Sequence, residues 1–233
     1  MNIDDTKNPA TRPSAIESAI AHIERSLCPN GTGHEGIPEG ERAGYEWRAI
    51  FRWAERESLV IPPQLAPERV GGREHDLTFL PLERSWRKFT KPDGCGLMVD
   101  FADGCPLLLP GTPLQYLKRL QLQNSFWGDD IRLEGVQIMV PGAKIVTNQP
   151  DVKGEAPTQD FLNDYLCGEF GFRKLKIPPM GYYKSHSYLH GRFAMFDVHP
   201  ANFVQVSSKV VLPIDVIMME CEGVELAALE AAL

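Results

Sequence analysis

A chain of 233 residues, 43% hydrophobic and 24% charged, is long enough to bury a substantial core in one or two compact units. Its formal net charge of −7 excludes nonspecific attachment to nucleic acid or anionic membrane as the main task. No apolar run approaches a membrane span, because Pro, Asp and Glu interrupt each one.

The opening Met-Asn-Ile-Asp-Asp-Thr-Lys lacks the basic and apolar blocks of a secretion signal. Cysteines 28, 95, 105, 167 and 221 are odd in number and form no C-x-x-C pair, so free thiols in a reducing cytoplasm are expected. Residues 1–14 are polar and expected to fray. Ser14 then caps a helix from Ala15 to Leu27, with Glu17 at its third position and Ile16, Ala19, Ile20, Ile23 and Leu27 on one face. The Gly/Pro-rich stretch from Cys28 to Gly40 reads as a loop. A second helix is expected over Gly44 to Leu59, its stripe made of Trp47, Ile50, Phe51 and Ala54. Two short helices bury too little to stand alone, so both should pack on the downstream part of the chain. Ile61 to Pro67 is a Pro-rich connector.

From Gly71 the period changes. Leu77–Leu80 and Trp86–Thr90 read as two strands, and Lys91 to Gly111 as a loop-rich stretch. Thr112-Pro113 starts a helix with Leu114, Leu117, Leu120 and Leu122 inward, ending near Gly128. Arg132–Val140 and Ala143–Thr147 form a second strand pair turning at Pro141-Gly142, and Asn148 to Asp151 an extended link closed by Gly154. Thr158 caps a helix to about Cys167, stopped by Gly168.

The last motif is the most informative. Phe203–Val206 and Val210–Leu212 are β-branched and apolar around a Ser207-Ser208-Lys209 turn, which predicts a tight hairpin. Pairing Val206 with Val210 sets Asn202 opposite Ile214 and beside Asp215. An Asn carbonyl and a carboxylate side by side suit a hard, oxygen-preferring cation such as Mg²⁺. Asp197, five residues before Asn202, then sits at the mouth of that site. Between Glu169 and Asp197 there is no acid, yet Arg173, Lys174, Lys176, Lys184 and Arg192 are present with His186, His190, Tyr182, Tyr183 and Tyr188. That local basic patch is either a solvated face or a steering surface for an anionic substrate. His199 reads as a loop-ordering donor, with no third nitrogen or sulfur ligand in evidence.

The spacing Asp197-Val-His-Pro-Ala-Asn202, with a hairpin and Pro213-Ile-Asp215 after it, resembles a kinase catalytic loop and its second metal-binding Asp. Together with Gly72-Arg-Glu-His75, Arg87-Lys-Phe-Thr90, Thr112–Leu117, Ile131–Gly135 and Val146–Pro150, it is similar to the kinase-like domains of bacterial and phage polyvalent proteins. More distantly it resembles the aminoglycoside-phosphotransferase type, over about residues 45–219. The resemblance implies a minimal two-lobed α+β fold: an N-terminal helical extension (1–68), a small antiparallel-sheet lobe with one helix (69–150) and a truncated helical lobe (151–233). It implies an ATP- and magnesium-dependent phosphotransferase with Asp197 as base, Asn202 and Asp215 as metal ligands and Lys88 on the nucleotide phosphates. Adenine would meet the backbone near Gln149, and the acceptor would be a hydroxyl on a protein or on a small molecule. Read without the resemblance, Lys88 is an exposed strand lysine and Gln149 satisfies a loop.

This sequence departs from the kinase pattern in several places. There is no G-x-G-x-x-G loop, only Gly71-Gly72. The 113–127 helix carries Gln115, Gln121 and Gln123 but no carboxylate to pair with Lys88, which leaves Asp100 or Glu134 as candidates. Only 18 residues (233 − 215) lie beyond Asp215, too few for an activation segment. These departures favour a second reading, a degenerate kinase fold that binds a nucleotide or a partner. A third reading is a metal-dependent hydrolase using Asp197, His199 and Asp215.

Overall fold

The computed structural model describes residues 13–28, 39–70, 72–92, 94–139 and 142–233. The polar N-terminus, most of the Gly/Pro-rich loop before residue 39, Gly71 and the start of the Pro141-Gly142 turn lie outside the described residues. Ser14 accepts from Glu17 N–H while the Glu17 carboxylate accepts from Ser14 N–H, and this capping box starts α1 (Ala15–Leu27) where the sequence places it. Its Ile16, Ile20 and Ile23 are buried, worth about 1.5–3 kcal/mol each relative to exposure. α2 (Glu39–Glu57) starts five residues earlier than expected and buries Ile50, Trp53 and Ala54, leaving Trp47 and Phe51 at the edge.

After the two-residue strand β1 (Val60–Ile61) come β2 (His75–Leu80), β3 (Ser85–Thr90), β4 (Leu97–Ala102), β5 (Cys105–Pro110) and α3 (Pro113–Trp127). Next in the chain are β6 (Arg132–Ile138) and β7 (Ala143–Pro150). One five-stranded sheet forms in the order β1-β6-β7-β3-β2, antiparallel except for the β1–β6 pair. α1, α2, α3, β6 and β7 share one apolar core through Ile23, Ile50, Trp53, Leu117, Val136 and Ile145. The N-terminal helices therefore pack on the downstream part of the chain, as two helices too short to stand alone must.

The 91–111 stretch corrects the sequence expectation, since it holds the β4–β5 hairpin, paired from Leu97↔Pro110 to Ala102↔Cys105. Its signal is Asp103-Gly104 between two apolar runs, with positive φ at both residues (51° and 76°), as a two-residue hairpin turn requires. A Cβ at Gly104 meets nothing within 4 Å, so Gly104→Ala should carry only the conformational cost of the left-handed backbone, about 1 kcal/mol. The expected readout is a lower urea midpoint at unchanged slope. An unchanged midpoint contradicts this account of the turn.

The second half holds α4 (Gln159–Gly168), β8 (Arg173–Lys174), β9 (His186–His190), β10 (Phe193–Val198) and a 3₁₀ turn (Pro200–Asn202). It continues with β11 (Phe203–Ser207), β12 (Val210–Pro213), β13 (Ile217–Glu220) and α5 (Gly223–Ala231). A truncated helical lobe is not what forms: the centre is a four-stranded antiparallel sheet, β13-β10-β9-β8. The physical reason is period-2 alternation. Tyr188, Met195 and Met218 face α4 and the β11–β12 hairpin, while Leu189, Phe196 and Ile217 face the β4–β5 hairpin and α5. With both faces buried, β10 and β13 read as apolar runs rather than half-polar ones. Among the described residues no helix is long and apolar enough to cross a membrane.

Candidate functional site

Asp197 sits at an irregularity that its own strand creates. β10 pairs with β9 as Met195↔Tyr188 and then as Val198↔His186, so one extra residue is accommodated between them. Asp197 takes φ 56°, a left-handed conformation uncommon outside glycine. Bulges of this kind re-aim a side chain, and here the carboxylate turns to accept from Tyr182 N–H at Oδ1 (2.7 Å). His199 Nε2 stands 3.7 Å from the same oxygen. Gly181, at φ 93°, leaves room for this arrangement, because a Cβ there would overlap the Asp197 carboxylate.

Pro200 then opens the 3₁₀ turn, closed by Asn202 N–H donating to His199 O (2.9 Å). Asn202 Nδ2 donates to the Asp197 carbonyl (2.9 Å) and to its Oδ2 (3.2 Å). The hairpin returns in the expected register over Phe203↔Pro213 and Val204↔Leu212, and Ile214 N–H donates to Asn202 O (2.8 Å). Only the tip differs. Val206 is the extra residue of a bulge and Ser207 pairs with Val210, so the turn is Ser208-Lys209 alone. Asn202 and Asp215 thus reach the same cleft.

Four residues from the first half meet Asp215 there. Lys88, half-buried on the inner strand β3, donates to Ile214 O at 2.9 Å. Arg119, 2% exposed on α3, spans two carboxylates: Nη1 reaches Glu74 (2.5 Å) and Nη2 reaches Asp215 Oδ1 (3.2 Å), while Nε donates to Val216 O (2.9 Å). His75 Nδ1 lies 4.0 Å from Asp215 Oδ2, and its Nε2 is hydrogen-bonded with the Tyr116 hydroxyl (2.9 Å). Burial would raise the Asp215 pKa, but the Lys88 and Arg119 charges outweigh it and hold the carboxyl below its usual value. Burial dominates at Asp197 and raises its pKa against the opposing Tyr182 N–H, His199 and Asn202. The two carboxylates are therefore pushed apart, one held ionised and one poised higher. His75, fully enclosed, is lowered to about 3, mainly by desolvation, and stays neutral.

The cleft bounded by Lys88, His75, Trp86, Gln149, Asn202 and Asp215 has a volume of 370 Å³. A second, of 390 Å³, runs from Arg73 and Glu74 past Gly181 to Asp197, and Asp215 lines both. All five residues singled out from the sequence (Lys88, Gln149, Asp197, Asn202 and Asp215) border one or the other. Gln149 differs in setting from the expectation: it lies inside β7, paired with Trp86, rather than in a link that starts at Asn148. Its side chain is tied to Asp129 (2.6 Å).

Neither proposed partner of Lys88 serves. Asp100 is exposed on β4, and Glu134 pairs with Arg87 (2.5 Å). The acid near Lys88 is Asp215, and the helix contributes a cation instead of a carboxylate. Arg119 is the residue the sequence did not single out, and Glu74 and His75 enter only within the Gly72–His75 segment, without a role. A signal existed for Arg119, which stands three residues after Tyr116 on the buried face that continues to Leu120 and Gln123.

Asp197, His199 and Asp215, the hydrolase set, line one cleft together but do not close to metal-ligating distance of one another. Among the described residues the only cluster within metal-binding reach is Glu74, His75 and Asp215. Arg119 already occupies the space between its two acids. Asp215 Oδ2 is a better candidate for a cation, since this side chain keeps 38% exposure on the cleft. Asn202, whose amide nitrogen is committed to Asp197, has its carbonyl oxygen left as a donor atom. That all-oxygen pair fits a hard divalent ion. No family model matches the chain, and no curated protein and no solved structure matches it.

Proposed function

We propose that the chain is a kinase-like, ATP-dependent phosphotransferase on a reduced two-lobed fold, with the nucleotide in the cleft between the five-stranded sheet and the β11–β12 hairpin. The observation that carries the reading is the convergence of Lys88, Asn202 and Asp215 on one cleft, with Asp197 on the adjoining one. Lys88 meets the nucleotide phosphates as a point charge. Asn202 and Asp215 would hold magnesium, which when bound neutralises charge on the transferring phosphoryl group. Asp197, with its raised pKa, orients the acceptor hydroxyl and takes its proton. Catalysis is then positioning and electrostatics rather than covalent chemistry.

The test is a thermal-shift titration with ATP and magnesium. At about 100 times Kd a ligand specific for the native state adds about 2.7 kcal/mol, or roughly 5–10 °C for a chain of this size. Lys88→Met should remove most of that shift while leaving the unliganded melting temperature nearly unchanged, because the lysine is only half-buried. No shift in the wild type overturns the reading. A shift without transfer to any acceptor selects the degenerate, nucleotide-binding alternative. That alternative is favoured by Arg119 standing on the helix where the kinase pattern has a carboxylate.

A further inference from the structure

A third cavity adjoins the Asp197–Asn202 loop, between the N-terminus of α4, the 179–186 segment and the 3₁₀ turn. At 690 Å³ it has the capacity of a small-molecule pocket. Three of its features bear on what it holds. No Asp or Glu lines it, although the chain carries a net charge of −7. Lys184 stands exposed at its rim beside the Tyr183 ring (5.2 Å), and Lys174 Nζ lies 3.1 Å from Nε2 of His186, a lining residue. Among the described residues no carboxylate pairs with either ammonium. By contrast, Arg192, the other end of the acid-free stretch, is engaged by Glu220 and Glu222.

The remaining walls are Pro179, Pro200, Ala201 and the Tyr182 ring, which packs on His199 with centroids 4.7 Å apart. They suit a carbon skeleton or a ring. Tyr182 and His199 also border the Asp197 cleft, so the two spaces share a wall. The loop between them is tied in place: Arg73 donates to Gly181 O (3.0 Å), and the adjacent Tyr182 N–H donates to Asp197.

We infer that this cavity is the acceptor site and takes a small alcohol bearing a phosphate or carboxylate, its anionic end on Lys184 and Lys174 and its hydroxyl reaching Asp197. The inference rests on the phosphotransferase reading and narrows its acceptor from a protein or small-molecule hydroxyl to an anionic small molecule. In the step itself the acceptor oxygen forms a bond to the γ-phosphorus of ATP and the bridging bond to ADP breaks. The hydroxyl proton passes to Asp197, and ADP leaves.

The experiment has two arms. In the first, inorganic phosphate is titrated calorimetrically into wild type, Lys184→Glu and Lys174→Glu, each with saturating non-hydrolysable ATP analogue and magnesium to fill the nucleotide cleft. In the second, ATP turnover is measured with glycerol 3-phosphate, with glycerol and with a Ser/Thr-containing peptide. Both lysines are exposed, so the variants should fold as the wild type does. Charge reversal should weaken phosphate binding about tenfold or more, the value of a charge-assisted contact, with ATP-analogue affinity unchanged. Turnover should respond to glycerol 3-phosphate well above glycerol or peptide. Equal phosphate affinity in all three proteins, or turnover specific to the peptide, overturns the inference while nucleotide binding still supports the broader reading. Phosphate binding that depends on Lys184 in a protein with no affinity for the ATP analogue overturns the broader reading and leaves an anion site without a donor.

Discussion

Asp197→Asn should lower phosphoryl transfer by about 10²- to 10⁴-fold, the range of a positioned general base, with ATP affinity unchanged. The substitution turns the oxygen that accepts from Asn202 Nδ2 into an amide nitrogen, while Asn202 keeps its bond to the carbonyl of residue 197. Asn tolerates the left-handed backbone that Asp197 adopts, and its side-chain oxygen still accepts from Tyr182 N–H. The melting temperature should stay within about 4 °C, equivalent to about 1 kcal/mol. In the wild type the base must be ionised to act. Burial lifts its pKa above the ordinary Asp value of about 3.9, so the rate should already decline at pH values above that figure as the solution is acidified. Asp215, displaced in the other direction, stays charged through the same window. A pre-steady-state transfer assay across pH, beside an equilibrium ATP-binding measurement, checks both statements. Full activity in Asp197→Asn removes the base assignment.

Arg119→Met should be the most damaging substitution to stability, by about 3–5 kcal/mol, because it strands a carboxylate in a buried setting. Glu74 is the acid affected, with only 7% of its side chain exposed, and its pKa is already raised by desolvation despite the guanidinium. Asp215 suffers less, since its exposed carboxylate can turn to water. That asymmetry has two further consequences. The loss should be smaller at pH 5 than at pH 8, because a protonated Glu74 has no charge to strand. Adding Glu74→Gln to Arg119→Met should recover about 0.5–3 kcal/mol relative to additivity, as expected of residues in direct contact. Urea denaturation of the four proteins at two pH values measures all of this. A loss below about 1 kcal/mol for Arg119→Met would falsify the view that this arginine holds the two halves of the site together.

The site was legible in the sequence wherever its geometry is local. The interval from Asp197 to Asn202 and the β-branched arms of the hairpin dictate a return to the starting point, and Ile214 N–H does meet Asn202 O. Likewise Ser14 with Glu17, and Thr112 with Pro113, declare their helices by capping chemistry alone. The features that escaped were non-local. Arg119 lies 45 residues from Glu74 and 96 from Asp215, and no spacing rule joins three such positions. Glu74 and His75 fall at the start of a strand, where a polar pair ordinarily faces water.

The β-rich second half escaped for a related reason. His186–His190, Phe193–Val198 and Ile217–Glu220 are covered on both faces, so the polar–apolar alternation that marks a half-exposed strand is blunted. The sequence by itself determined the capped helices α1, α3 and α4, the β11–β12 hairpin and the identity of the oxygen-bearing groups, because these arise from contacts between residues a few positions apart. Only the tertiary structure decided which charges neutralise one another and which carboxylate is left poised. Desolvation and Coulomb attraction depend on the groups packed around a residue in space, and the chain order alone does not carry that information.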